Sequence, residues 1–311
     1  MKKIIGALFG AFALLGAGGA MAGYPEKPVN FVVPWPPGDL EDVLTRMIAE
    51  DFQAKYGVSA AVVNKPGGGG GPFPGAISVA AEPADGYTIG SFVIAVPVIG
   101  HVIGIDELAP EKFDPLGIFL TYPFVLAASA DAPYSNMEEL AAHAKTNKVA
   151  LGHFGAPLPP TRATMAYAKR AGFSYGSDAA FDALDCNTLA SGDADVINTT
   201  LQLVMPCLDK VKILASITDK RIPILDGVPT LGELDPAIDL ALWNGLFVRK
   251  ETPADVRAKI IEVAKETVMS DRAQKLAKDT GALVYWQDAE TSASRINADR
   301  ATFGAIADIL Q

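Results

Sequence analysis

The chain has 311 residues, half of them hydrophobic, with 36 Asp and Glu against 26 Lys and Arg for a formal net charge of −10. That charge speaks against nucleic acid or an anionic membrane surface as a partner. The hydrophobic share supports a sizeable core, and the length favours two domains.

Met1-Lys2-Lys3, an apolar run from Ile4 to about Gly19 and the small-x-small Ala20-Met21-Ala22 read as a cleaved secretion signal over residues 1–22. No later stretch reaches the ~18 apolar residues of a membrane span, and no cysteine lies near the cleavage point. A soluble periplasmic protein without a lipid anchor is therefore expected.

Val29-Asn30-Phe31-Val32-Val33 reads as a short strand that stops at Pro34-Trp35-Pro36-Pro37-Gly38, and helical spacing then runs from near Asp39 to Tyr56-Gly57. The first amides of such a helix lack intrahelical acceptors and lie at its positive end, so the junction favours an anionic group on a small ligand. A second strand is expected at 60–64. Five glycines, Gly67 to Gly71, and Pro72-Phe73-Pro74-Gly75 follow, then a small-residue helix over 76–81 and a strand over 87–93. This alternation predicts parallel strands with right-handed crossovers and ligands outside their carboxyl ends.

Residues 123–128 and 148–152 read as strands around a helix capped by Ser135 and Glu138. Gly155-Ala156-Pro157-Leu158-Pro159-Pro160-Thr161 then leads into a helix over 162–171, repeating the opening geometry, so that two junctions can face each other across a cleft. Strands are expected at 194–198 and 211–215, and helices at 253–276 and 293–309. Cys186 and Cys207 can bridge in an oxidising compartment, closing a loop of about 20 residues worth roughly 3 kcal/mol, or can remain two buried thiols.

His101, His143 and His153 stand far apart without metal-ligand spacing, and no Gly-x-Ser-x-Gly elbow occurs. The five-glycine loop lacks the Gly-Lys-Ser/Thr ending of a phosphate-binding loop, but glycine lets a ligand approach main-chain amides closely. No catalytic residue, metal or cofactor is expected.

Tyr24-Pro25-Glu26-Lys27-Pro28, the Pro34–Gly38 turn with Asp42, Asn64-Lys65-Pro66-Gly67, Asp85-Gly86-Tyr87-Thr88, Gly152-His153-Phe154-Gly155, Val228-Pro229-Thr230-Leu231-Gly232-Glu233 and Trp243-Asn244-Gly245-Leu246 follow one another in an order and spacing that carry a resemblance. The chain resembles the periplasmic solute-binding proteins of tripartite tricarboxylate transporters, the Bug or TctC-like receptors. The resemblance implies an α/β, two-lobed, type II (Venus flytrap) fold, each lobe a mixed sheet flanked by helices, with two crossover strands. It implies a first lobe of residues 24–124 plus about 225–311 and a second of 125–224. It further implies a monomeric receptor, not an enzyme, that captures a small organic carboxylate or carboxylate-bearing zwitterion and delivers it to the membrane permease. The alternative output is a sensor kinase that reads the closed form.

Carried onto this chain, the resemblance places the ligand against Trp35, Pro37, Gly38, Asp39 and Leu40 of the first turn and Gly69, Gly70 and Gly71 of the glycine loop. From the second lobe it implies Phe154, Gly155, Thr161, Thr199 and Thr200. This chain departs from the family at that turn, because the second glycine of the usual Pro-Gly-Gly is Asp39, and Glu41 precedes Asp42. Like charges there repel by up to about 4 kcal/mol at an effective dielectric near 20, which disfavours a bare dicarboxylate. Either Asp39 caps the helix with Asp42 as its partner and Glu41 solvated, or Asp39 or Glu41 points into the cleft toward an ammonium, a hydroxyl or a cation. Phe73, in place of a small polar residue, is expected to wall the ligand.

Overall fold

The computed structural model describes residues 23–67 and 71–311, so the expected secretion signal lies outside the described residues. The chain opens with β1 (Val29–Val33), α1 (Leu40–Tyr56), β2 (Ala60–Asn64), α2 (Phe73–Ala80), β3 (Thr88–Val93), a short α3 (Ala95–Ile99) and β4 (Phe113–Thr121). It then crosses at Tyr122-Pro123 into β5 (Phe124–Ser129), α4 (Met137–Ala144), β6 (Ala150–His153), α5 (Pro159–Arg170), β7 (Ser177–Ala180), α6 (Cys186–Ser191), β8 (Val196–Thr200), α7 (Leu201–Val204) and β9 (Val211–Ser216). It returns through α8 (Leu231–Leu234) to β10 (Trp243–Arg249), α9 (Ala254–Val268), α10 (Asp271–Thr280), β11 (Leu283–Gln287) and α11 (Ala289–Leu310).

Two sheets result. One has the order β11-β4-β10-β3-β1-β2, the other β7-β6-β8-β5-β9. β1 lies parallel between β2 and β3, while β10 runs antiparallel to β3 and β4. In the second sheet β6 lies parallel between β7 and β8, and β5 is antiparallel to β8 and β9. The alternation predicted parallel sheets; β10 and β5 enter against that direction and make both sheets mixed. β1 and β6 therefore occupy equivalent places, each at the centre of a parallel triplet whose carboxyl end feeds a helix.

Phe31 of β1, Phe52 of α1, Phe92 of β3 and Trp243 and Phe247 of β10 are fully buried and clamp the first sheet. Side chains of this size contribute ~1.5–3 kcal/mol each on burial. α11 packs on β4 and α3 and also on α5 of the second sheet's layer, where Arg162 sits 5.7 Å over the Phe303 ring. One helix thus holds both lobes.

Three local expectations change. The helix expected over 253–276 is two helices, because Ser270 takes an extended backbone (ψ 156) and its hydroxyl donates to the Thr267 carbonyl (2.6 Å). The α4 cap moves on by one residue: Asn136 Oδ1 accepts the Glu139 N–H (2.9 Å) and Glu139 Oε2 accepts that of Ser135 (2.7 Å). α2 starts at Phe73, immediately after Pro72, rather than at 76. Cys186 and Cys207 form a disulfide, which ties α6 to the turn that follows α7.

Candidate functional site

β1 ends at Val33, and Gly38 takes φ +100, a backbone open to glycine but strained for other residues, to turn the chain into α1. The turn is fastened by Asp42. Its carboxylate accepts from the Gly38 amide (2.9 Å), from Arg46 Nε and Nη2 (2.9 Å each) and from Asn64 Nδ2 (2.8 Å), and Asn64 Nδ2 also donates to the Trp35 carbonyl (3.1 Å). Burial pushes Asp42 upward, but the Arg46 guanidinium, Asn64 and the Gly38 amide outweigh it and hold this carboxyl below its ordinary range. Asp42 is the anchor of the turn.

Asp39 occupies the N-cap position of α1 without a side-chain capping bond, and Glu41 is only 2% exposed. The capping account therefore fails on two counts, since Asp42 ties back to Gly38 rather than to Asp39 and Glu41 is not solvated. Glu41 Oε2 has no hydrogen-bond partner. Burial, reinforced by Asp39, pushes the Glu41 carboxyl up to about 8, and burial with Asp42 pushes Asp39 up to about 6, partly offset by the Trp35 indole N–H. Behind Glu41 runs a buried neutral chain. Asn244 Nδ2 donates to Ser91 Oγ (2.7 Å), Ser91 meets Thr45 Oγ1 (2.8 Å), and Thr45 donates to the Glu41 carbonyl (2.5 Å). The Tyr122 hydroxyl, kept protonated by burial and by Glu41, donates to Asn244 Oδ1 (3.4 Å).

The second junction leaves β6. Gly155 N–H donates to His153 Nδ1 (3.0 Å), which leaves Nε2 as the protonated nitrogen facing Asp178 Oδ1 (2.9 Å). Thr161 Oγ1 donates to the Gly155 carbonyl (2.8 Å), and Asn198 Nδ2 donates to the Pro160 carbonyl (2.8 Å). Pro159 and Pro160 open α5, so two of its first positions carry no N–H. This end offers apolar surface where α1 offers amides.

The two junctions close on a cavity of about 70 Å³ lined by Trp35, Asp39 and Glu41 on one side and Phe154, Leu158 and Pro160 on the other. Tyr122 and Phe124 form its floor at the crossing between sheets, with Thr200 and Gln202 beyond, and the Gln202 Oε1 is also unpartnered. A neighbouring cavity of about 280 Å³ is lined by Gly67, Gly71, Phe181 and Asp182. Trp35 and Phe154 face both cavities and meet edge to face with ring centroids 6.4 Å apart.

Of the residues expected from sequence, Trp35, Asp39, Glu41, Phe154 and Thr200 line the smaller cavity and Gly71 the larger, whereas Gly69 and Gly70 lie outside the described residues. Others are placed elsewhere. Phe73 is 5% exposed in the core among the first-lobe side chains and walls neither cavity, and Leu40 is likewise a core residue. Pro37 and Gly38 lie exposed on the outside of the turn, and the Gly38 amide is already taken by Asp42. Gly155 and Thr161 are tied to each other, and Thr199 donates to the Leu184 carbonyl (2.6 Å), away from the cavity. Tyr122, Phe124 and Gln202 went unread. The aromatic pair around Pro123, where the chain changes sheets, was the available signal.

Residues 44–310 match the model of the tripartite tricarboxylate transporter family receptor, a range that begins just past the acidic turn. A protein from Pseudomonas sp. (strain P51), described as a UPF0065 protein in the tcbD-tcbE intergenic region, is 27% identical over 272 residues, 81% of this chain and 77% of that one. The structure of the periplasmic binding protein BugD superposes with a TM-score of 0.77 at 25% identity, covering 91% of this chain and 96% of that one. MatC from Rhodopseudomonas palustris, with bound malate, superposes with a TM-score of 0.78 at 21% identity, covering 93% and 100%.

Proposed function

This chain belongs to the tripartite tricarboxylate transporter receptor family, and from that premise we propose that it is a periplasmic receptor that captures one small carboxylate-bearing organic solute between its lobes and hands it to a tripartite transporter permease. The observation that carries the reading is the convergence of two equivalent strand-turn-helix junctions, one from each sheet, on a partly open cavity between them. A solute there touches both lobes only when they are closed, so binding shifts the open-closed balance and the permease reads the closed shape. In support, the α1 amides ahead of Val43, whose N–H makes the first intrahelical bond to the Asp39 carbonyl (3.0 Å), are the natural seat for a carboxylate.

The lobes on this reading are residues 24–124 with about 225–311, and 125–224, hinging at the crossing around Tyr122-Pro123 and at the return before β10. Residues 1–22 direct export and are removed. No helix among the described residues is long and apolar enough to cross a membrane.

Isothermal titration of the mature chain with carboxylates and amino acids tests the reading: one-site binding without turnover, with compaction in solution scattering, is the expected result. Loss of solute uptake on deleting the gene, restored by the intact chain, tests delivery. Conversion of any of these compounds by the purified protein would overturn the receptor assignment.

A further inference from the structure

The cavity has an unusual charge for a carboxylate receptor. Its lining contains two carboxyl groups, Asp39 and Glu41, and no Lys, Arg or His among the described residues. The nearest cation on α1, Arg46, is committed to Asp42 and Asn64 and is 44% exposed on the far side of the turn. Glu41 is the more telling of the two acids. It is 98% excluded from solvent, it lines the cavity, and its Oε2 has no partner in the protein, a costly arrangement for a group that strongly prefers to be hydrogen-bonded.

Much of the remaining wall is aromatic, beside aliphatic side chains and the polar Thr200 and Gln202. Phe154 meets Phe124 and Trp35 edge to face (6.2 and 6.4 Å), and with Tyr122 these rings surround the acidic corner. Carboxyl groups set among aromatic rings are the surroundings that stabilise an organic cation, through charge and through the ring quadrupoles. Opposite them, Pro159 and Pro160 supply no N–H, so the second junction accommodates an apolar body and not an oxyanion.

Resting on the receptor reading, we infer that the ligand presents an ammonium group to Glu41 and Asp39 and lays a short apolar chain against Phe124, Phe154, Leu158 and Pro160. The same acidic lining disfavours a dianionic dicarboxylate. A simple amine and an apolar amino acid share this chemistry, and they differ only in whether a carboxylate also reaches the α1 amides.

Four probes separate the cases: 3-methylbutylamine, leucine, 4-methylpentanoate and malate, the first three carrying the same branched body. Thermal shift and calorimetry on the mature chain should show stabilisation by leucine or the amine and none by 4-methylpentanoate or malate. Binding of leucine alone assigns an amino acid; binding of the amine as well assigns a site indifferent to the carboxylate. At pH 8.5, where both carboxyl groups carry charge, Glu41→Gln and Asp39→Asn, each checked for an unchanged circular dichroism spectrum, should each weaken that binding about tenfold, the ~1.4 kcal/mol of one charged contact. Stabilisation by 4-methylpentanoate or malate alone would overturn the inference and leave the receptor reading standing, whereas silence from all four counts against both. Unchanged affinity in both variants would also overturn it.

Discussion

Each lobe brings a central parallel strand, a proline-rich turn and a helix to the cavity, yet the two junctions are fastened by different chemistry. In the first lobe the tie is ionic: the Asp42 carboxylate gathers the Gly38 amide, Arg46 and Asn64. In the second it is neutral, with Thr161 and His153 holding the two ends of the Gly155 peptide unit and Asn198 reaching the Pro160 carbonyl. The faces differ in the same way, acidic on the α1 side and apolar on the α5 side. Equivalent positions in a duplicated plan therefore set only where the cavity lies. Its chemistry is set by the side chains that the ties leave free.

The largest expected effect comes from cutting the ionic tie. Asp42→Ala removes a buried acceptor from three donors and should cost about 3 kcal/mol, at the modest end for a buried ion pair because Arg46 is partly exposed. A lower urea midpoint at unchanged slope would register it. A loss below about 1 kcal/mol would mean that the turn is held by its prolines and not by Asp42.

The next contrast concerns protons. Groups facing Glu41 are Asp39, Asp42 and Tyr122, with Arg46 already engaged by Asp42. Its folded-state value of about 8 lies above the ordinary carboxyl value, so the folded state holds a proton that the unfolded chain has released. The stability this confers is full below about pH 4 and is lost as pH rises toward 8. Asp42 has the opposite sign and adds stability that is lost as pH falls below the ordinary carboxyl range. Ligand-free protein should thus lose melting temperature between about pH 5 and 8, and Glu41→Gln should flatten that slope. An equal slope in the variant would show that Glu41 is not the group responsible.

How far this could be read from sequence depended on the range of the interaction. β1, β2, the Pro34–Gly38 turn and the start of α1 follow from local pattern, and the structure keeps them. β4 did not, because Asp114, Pro115 and Gly117 inside Phe113–Thr121 look like breakers. The strand survives by pairing with β10 across two register shifts, and Gly117 is needed because the Trp286 ring would lie 2.4 Å from any Cβ there. The fate of Glu41 stayed open in sequence between a solvated acid and a side chain turned into the cleft. Its position in a first helical turn suggests a solvated acid beside a cap, and only Tyr122, some 80 residues away, together with the second lobe, encloses it. Capping chemistry is local, whereas burial is a property of the whole fold.

Across the gap between junctions, Trp35 and Phe154 meet from opposite lobes. Such a pair is worth ~0.5–1.5 kcal/mol beyond its area, and both rings also wall the two cavities between the junctions. Trp35→Ala should merge the two cavities, weaken ligand binding about tenfold and enlarge the ligand-bound radius of gyration. Affinity and dimensions that match the parent would confine Trp35 to lining. Thr161→Val tests the neutral tie and should cost about 1 kcal/mol, less than Asp42→Ala, because the Gly155 carbonyl loses an uncharged donor. A cost equal to that of Asp42→Ala would erase the distinction between the junctions.

The finest contrast lies in two adjacent residues. Thr199 and Thr200 end β8, and successive strand side chains point to opposite faces, so the pair divides its work. Thr199 donates to the Leu184 carbonyl, whereas Thr200 turns to the cavity. Thr199→Val keeps the shape and removes a hydroxyl that serves the fold, so stability should fall by about 1 kcal/mol with ligand affinity unchanged. Thr200→Val should do the reverse, leaving stability within about 0.5 kcal/mol and altering affinity or ligand preference. Measuring both quantities for both variants decides the matter: if Thr200→Val destabilises the ligand-free protein as much as Thr199→Val does, β8 contributes scaffold alone and the second lobe binds only through its apolar wall.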